Sequence, residues 1–88
     1  MFEWDENKNQ INIDKHGISF DIAQEVFSDS NGYEVSRIVE NEIRMKYVGR
    51  IDNIILSVVY TKRGTKCRII SARCASKTER RIYHECKK

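Results

Sequence analysis

The sequence contains no proline, four glycines and no long hydrophobic run. A membrane-spanning helix needs about 18 or more mainly apolar residues, and a signal peptide needs a positively charged start followed by an apolar segment. The opening Met-Phe-Glu-Trp-Asp has neither character. Gly-rich phosphate loops and the H-E-x-x-H and G-x-S-x-G motifs are also absent. These absences exclude several common enzyme classes and predict a cytoplasmic protein.

Cysteines are few and unsuitably spaced for a disulfide framework or a zinc site. Cys67, Cys74 and Cys86 leave an odd thiol, and none of them forms a C-x-x-C pair. We interpret them as reduced packing residues. His84 and Cys86 provide only two potential ligands near the chain end, too few for a closed metal site. We therefore expect no metal and no other cofactor.

The chain is long enough for one modest core. With 88 residues and 40% hydrophobic content, it can fold without disulfides or a metal. No linker, repeat or low-complexity segment interrupts it. We therefore expect residues 1–88 to form a single domain.

Charge is strongly polarised along the chain. Residues 1–36 carry eight acidic and two basic side chains, a net charge of −6, whereas residues 62–88 carry ten basic and two acidic ones, a net charge of +8. The whole-chain value of +3 conceals this asymmetry. A basic C-terminal third attracts polyanions such as RNA or DNA, although a solvated cationic face is the alternative.

Two helices are predicted before residue 32. Asp5 offers an N-cap for a helix over residues 5–16, and Gly17 offers its end. Ser19 offers the N-cap of a short amphipathic helix that ends near Ser28.

The remaining pattern predicts a small antiparallel sheet and a third helix. Apolar residues alternate with polar ones after residue 32, and one nearly continuous apolar run indicates a central strand. Ser76-Lys77-Thr78-Glu79 has the form of a capping box, so a C-terminal helix begins at Ser76, with Thr78, Ile82 and Cys86 facing inward. The fold class is α+β, with a short N-terminal edge strand at Phe2 and Trp4 and four antiparallel strands: residues 33–40, 43–48, 54–60 and 66–72.

Arginines on a small sheet suit the handling of a phosphodiester. Guanidinium groups bind phosphate oxygens bidentately and stabilise the negative charge that grows as a 2′-hydroxyl attacks phosphorus. Alternation places Arg68 and Arg73 on opposite faces of their strand, so both enter one site only if the strand bulges or ends before Arg73. Arg63, at a hairpin tip, either joins such a site or is a plain exposed turn residue.

His16 is the candidate for proton transfer. Its ordinary pKa near 6.5 suits either proton step of RNA cleavage. A histidine before glycine at a helix end is equally a C-terminal cap that interacts with the last carbonyls. The residues alone leave both interpretations open.

Four segments that together span nearly the whole chain carry a recognisable pattern: Phe2-Glu3-Trp4-Asp5 with Lys8 and Asn12; Lys15-His16-Gly17 with Ser19, Phe20 and Ala23; Val58-Val59-Tyr60-Thr61 with Arg63-Gly64; and Arg68-Ile69-Ile70-Ser71-Ala72-Arg73 with Ala75 and Glu79-Arg80. In these segments, and in their order, the chain resembles the BrnT family, the toxins of BrnT–BrnA type II toxin–antitoxin systems. The resemblance implies a RelE-like fold, a ribonuclease that blocks translation, and a ribbon-helix-helix antitoxin (BrnA-like). It also implies that operator DNA is bound only through the antitoxin complex.

The same resemblance nominates site residues. The positions that match the family's motifs imply a catalytic set of His16, Arg63, Arg68, Arg73 and Arg80. Further cations are expected to contact RNA: Arg44, Lys46, Lys62, Lys66 and Arg81. Cys74 departs from the family, which often has a basic residue there, and Arg44 and Lys46 compensate for that loss of charge.

Two other functions are compatible with the charge pattern. A basic module that grips RNA or DNA without cutting it would use the same phosphate contacts. A structural protein that docks an acidic partner would show no nucleic-acid affinity at low salt. Incubation with unstructured RNA in the presence of EDTA separates cleavage from mere binding.

Overall fold

A computed structural model of the chain describes residues 2–86. Lys87 and Lys88, which contribute to the basic third of the sequence, lie outside these residues. The described chain forms three α-helices, one 3₁₀ segment at Gln24–Ser28 and five strands: β1 (Phe2–Trp4), α1 (Glu6–His16), α2 (Phe20–Ala23), β2 (Tyr33–Val39), β3 (Glu42–Ile51), β4 (Ile54–Arg63), β5 (Lys66–Cys74) and α3 (Lys77–Cys86).

The α+β class is confirmed, but the sheet is larger and mixed. Its five strands lie in the order β1-β5-β4-β3-β2. Consecutive strands β2 to β5 pair antiparallel, as predicted. β1, expected only as a short edge strand, pairs parallel with β5, and Glu3 lies opposite Arg68. The chain between β1 and β5 contains α1, α2 and strands β2 to β4, and so long a connection permits parallel pairing, since a tight hairpin permits only the antiparallel arrangement.

The second helix is shorter than predicted. The α-helical part covers Phe20–Ala23, and the chain then tightens into the 3₁₀ segment Gln24–Ser28. Such segments commonly end short helices. The segment lies so close to β3 that a Cβ placed on Gly49 would be 2.9 Å from the carbonyl oxygen of Val26.

Helices α1 and α2 cover one face of the sheet, here called the helix face. Phe20, Ala23 and Val26 are fully buried against the sheet. Their partners come from the two central strands: Leu56, Val58, Ile69 and Ala72. β4 is the middle strand and is buried along most of its length, which confirms the prediction of a central strand. The prediction that both of its faces are covered was wrong, because Val59 lines a groove on the other face.

Buried polar side chains, rather than an apolar stripe, attach α1 to the sheet. Asn12 donates to the carbonyl of Ala72 over 2.8 Å and accepts from its N–H over 3.1 Å. The Asn12 amide also donates to the carbonyl of Ile18 over 2.9 Å. β1 pairs with β5 only as far as Trp4, so that edge of β5 has no strand beside it at Ala72. Asn12 supplies the missing hydrogen bonds to the backbone of Ala72.

Helix α3 covers only one end of the other face. The capping box is confirmed: the Glu79 N–H donates to Ser76 Oγ over 3.1 Å, and the Ser76 N–H donates to Glu79 Oε1 over 2.8 Å. The predicted inward stripe was wrong for two of its three residues, because only Ile82 is half-buried. Thr78 and Cys86 are exposed, and Glu79 and Tyr83 are buried instead, because the helix begins close to the sheet and turns its Glu79 side toward Ser57.

Within residues 2–86, no helix covers the rest of this face, here called the open face. A bulge in β5 decides which side chains reach it: Tyr60 lies opposite Ile69 and Val59 lies opposite Ser71, which leaves Ile70 without a partner. Arg68 lies opposite Thr61, and Arg73 lies opposite Ser57. Since Ser57 and Thr61 share one face of β4, the bulge brings Arg68 and Arg73 to the same face.

Candidate nucleic-acid interface

The open face contains a groove of about 420 Å³, here called the cationic groove. Aliphatic side chains of neighbouring strands contribute to its lining, among them Val35, Val59 and Ile70. All four charged residues that line it are basic: Arg37, Arg44, Lys46 and Arg73. This arrangement presents several cations to one anionic ligand over a desolvating surface.

Two of these cations lie directly opposite each other. Arg37 of β2 pairs with Arg44 of β3. Like charges in directly opposed positions destabilise a sheet, so this pair costs folding energy. Arg44 is partly compensated by Glu42, at 3.2 Å, whereas Arg37 is exposed and has no ion pair within residues 2–86. A phosphate between the two guanidinium groups would relieve the repulsion.

A buried carboxylate holds the other two cations. Glu79 accepts from both terminal nitrogens of Arg73, over 2.9 and 3.0 Å, and from Lys46 Nζ over 2.7 Å. Its side chain is only 7% exposed. Burial alone raises the pKa of Glu79, but the hydrogen bonds from Arg73, Lys46 and the Ser76 N–H outweigh it and lower the pKa from 4.5 to about 2. Glu79 is therefore ionised at neutral pH and fixes both cations at one end of the groove.

The predicted cations near the β1 edge are engaged by a second carboxylate. Glu3 lies 3.3 Å from Arg68 and 3.9 Å from Lys66. Arg68 lies on the open face but does not line the cationic groove. Glu3 partly neutralises the charge of Arg68, as Glu79 partly neutralises the charges of Arg73 and Lys46.

The remaining predicted cations are dispersed. Lys62 and Arg63 are exposed at the β4–β5 hairpin and line a separate shallow pocket. Arg80 donates to the carbonyl of Ala75 over 2.8 Å, and Arg81 lies 3.8 Å from Glu85 on the outside of α3. The structure thus gathers Arg44, Lys46 and Arg73 in one groove and leaves these four outside it.

His16 lies on the other side of the sheet. It is exposed in the last turn of α1, and Gly17 follows in the left-handed conformation, with φ 72° and its N–H 2.7 Å from the carbonyl of Ile13. His16 lines a groove with Cys74 that shares no residue with the cationic groove. The helix-end interpretation of His16 fits this placement, and its predicted role in proton transfer remains a prediction.

The sequence reasoning overlooked Arg37 and the second function of Glu79. Arg37 shares its alternation with Tyr33, Val35 and Val39, so the pattern already placed a cation on the apolar side of β2. Glu79 was assigned to the capping box alone. Its contact with Lys46 joins residues 33 positions apart, and no local pattern encodes that distance.

Two other kinds of site are absent from residues 2–86. These residues contain no group of three or more histidine, cysteine or acidic side chains that could hold a metal ion. None of their helices has both the length and the apolar character that a membrane span requires.

A small α+β domain with four cations lining one open sheet groove belongs to the class of proteins that act on polyanions. Comparison with protein families specifies that class. The family described as "Ribonuclease toxin, BrnT, of type II toxin-antitoxin system" matches residues 4–79, most of the chain, and the chain therefore belongs to this family. This confirms the predicted family. A search of curated proteins finds no match. As a ribonuclease toxin of such a system, the protein has RNA as its substrate and an antitoxin as its partner.

Proposed function

We propose that RNA binds in the cationic groove and is cut there by attack of its own 2′-hydroxyl. The 2′-oxygen forms a bond to phosphorus, and the bond from phosphorus to the 5′-oxygen breaks. Water in the open groove accepts the 2′-hydroxyl proton, and the departing 5′-oxygen gains a proton from water. The observation that carries this proposal is the convergence of Arg37, Arg44, Lys46 and Arg73 on one uncovered groove. Such cations stabilise the charge that grows on the phosphate oxygens.

Within this groove the cations divide into two pairs. Arg73 and Lys46 are held by Glu79 and so are preorganised at a fixed position. We assign to them the stabilisation of the transition state, since preorganised donors cost no rearrangement during the reaction. Arg37 and Arg44 lie farther along the strands and are assigned to binding a neighbouring phosphate.

The experiment that tests this assignment uses purified protein and an unstructured RNA oligonucleotide. Arg73→Lys keeps a charge beside Glu79 but removes the bidentate fork, and we expect cleavage to fall about 10²-fold, the usual effect of losing one preorganised donor. Arg81→Lys is the matched control, because Arg81 is exposed outside the groove. Equal cleavage rates for both variants would place the site elsewhere.

The phosphate-binding role assigned to Arg37 and Arg44 is tested by RNA affinity rather than by cleavage rate. Arg37→Ala removes an exposed cation and should lower the affinity for RNA. The affinity should also depend less on salt concentration, because the variant neutralises fewer phosphates. If the parent protein binds the RNA but produces no RNA fragments, the alternative of a basic module that does not cut RNA is supported.

We further propose that cleavage needs no metal. The nucleophile comes from the substrate, and the groove's cations serve the phosphate charge. Cleavage should therefore continue in EDTA and leave a 2′,3′-cyclic phosphate or its 3′-phosphate product. Cleavage of an all-DNA oligonucleotide at the same rate, or inactivation by EDTA, would contradict this chemistry.

In the cell, we propose that the toxin acts in the cytoplasm and arrests translation and growth. We propose that a ribbon-helix-helix antitoxin neutralises it, and that operator DNA is bound only through the complex of toxin and antitoxin. Family membership supports this arrangement. Induction of the chain alone should halt bacterial growth, and co-expression of the adjacent antitoxin gene should restore it. Normal growth with confirmed intact protein would count against it.

A further inference from the structure

A second groove, here called the isoleucine groove, lies on the helix face, at the end where α1 stops and β3 turns into β4. Its volume is about 840 Å³. Aliphatic side chains from five parts of the chain line it: Ile13, Ile18, Ile22, Ile51, Ile54 and Leu56. It shares no lining residue with the cationic groove. RNA in the cationic groove therefore leaves the isoleucine groove uncovered.

Large apolar side chains are exposed at this groove. Ile22 is 49% exposed and Ile54 is 55% exposed, although neither is near a chain terminus. Both line the same groove, Ile22 from α2 and Ile54 from the start of β4. A contiguous apolar hollow of this kind on a small protein marks a binding surface.

The charges at the groove indicate the chemistry of its ligand. Glu25 and Asp52 line it and are exposed, and neither forms an ion pair within the described part of the chain, residues 2–86. His16 is the one basic side chain among the lining residues. Arg50 lines an adjoining pocket together with both carboxylates. An aliphatic hollow bordered by Glu25 and Asp52 still complements an apolar segment that carries lysine or arginine.

We propose that the isoleucine groove is the anchoring site for the antitoxin, and that it takes an amphipathic helix. The helix would insert aliphatic side chains between Ile22 and Ile54 and place basic side chains beside Glu25 and Asp52. A groove bordered by helix ends and a strand turn suits this mode of recognition, in which side chains at helical spacing act as anchors. The inference rests on the antitoxin partnership of the family and does not depend on which residues cut RNA.

The test measures the affinity of the full-length toxin for the antitoxin encoded beside it, by calorimetry on separately purified proteins. Ile22→Glu and Ile54→Glu each place a carboxylate at the centre of the proposed interface. We expect each to lower the affinity at least about 30-fold, the effect of losing an interface hot spot. Ile11→Glu and Ile43→Glu are matched controls, because both residues are 61% exposed and neither lines the groove.

A charge variant tests the complementarity separately. Glu25→Gln combined with Asp52→Asn removes both carboxylates while Asn tolerates the positive φ of 52° at position 52. Binding should weaken and lose part of its salt dependence. Glu40→Gln, at the distant β2–β3 turn, is the control and should change neither the affinity for the antitoxin nor its salt dependence.

The outcomes are distinct from those of the proposed cleavage site. All groove variants should cut RNA at the parent rate and should escape neutralisation in cells. Normal antitoxin affinity in both isoleucine variants overturns the proposal, as does an equal loss in the Ile11 and Ile43 controls. If the groove variants instead change only the oligomeric state in gel filtration, the occupant is a second copy of this chain and the proposal is wrong.

Discussion

Neutralising Glu79 should destabilise the protein in a manner that depends on pH. The carboxylate is almost completely buried and accepts hydrogen bonds from Arg73, Lys46 and the Ser76 N–H. Glu79→Gln keeps the shape of the side chain and the capping box, which tolerates glutamine. The substitution therefore removes the charge while leaving the start of α3 in place, and it leaves two cations without their shared counter-ion.

The size of the effect follows from the pKa of Glu79, which is lowered from 4.5 to about 2. A group with a depressed pKa in the folded state stabilises the fold above its unfolded pKa and loses that contribution as the pH falls through the folded value. Because a tenfold change in proton affinity corresponds to about 1.4 kcal/mol, ionised Glu79 contributes about 3 kcal/mol at pH 7. Wild type should lose this contribution between about pH 4.5 and pH 2.

Urea unfolding of both proteins from pH 2 to pH 7 measures the difference. We expect the glutamine variant to be about 3 kcal/mol less stable at pH 7, with the two curves converging toward pH 2. Glu85→Gln is the matched control on the same helix, since its ion pair with Arg81 is exposed and should be worth less than about 1 kcal/mol. A gap at pH 7 no larger than that of the control, or one that persists unchanged at pH 2, would refute the reasoning.

Three other substitutions test the architecture. His16→Gln should cut RNA at nearly the parent rate if cleavage occurs in the cationic groove, because His16 lies across the sheet from that groove. A large loss in an RNA cleavage assay would support its predicted role in proton transfer. Asn12→Ala leaves the backbone groups of Ala72 buried without partners and should cost about 3 kcal/mol in urea unfolding, whereas the exposed Asn7→Ala should cost little. Gly49→Ala places a Cβ 2.9 Å from the backbone oxygen of Val26 and should lower stability by about 1 to 3 kcal/mol in thermal unfolding.

Local chemistry in the sequence determined most of the secondary structure. Caps at Asp5, Ser19 and Ser76 and the αL glycine at position 17 act within a few residues, so their patterns predicted where the helices begin and where α1 ends. Alternation predicted the four long strands, since side chains on successive strand residues point to opposite faces. The family motifs likewise belong to the sequence and predicted the ribonuclease toxin family.

The arrangement of the site depended on contacts between distant parts of the chain. Strict alternation separated Arg68 from Arg73, and only the bulge at Ile70 brought both to the open face. α3 turned Glu79 inward instead of Thr78, because Lys46, Ser57 and Arg73 together offer a buried carboxylate the partners it needs.

Register then decided which cations meet. The pairing of β2 with β3 placed Arg37 opposite Arg44. His16 lies on the other side of the sheet, because it ends α1, which packs on the helix face. Charge and periodicity in the sequence are properties of single segments, so they determined that the protein is basic, α+β and suited to a polyanion. Which cations share a groove is a property of strand pairing and packing, and only the tertiary structure decided it.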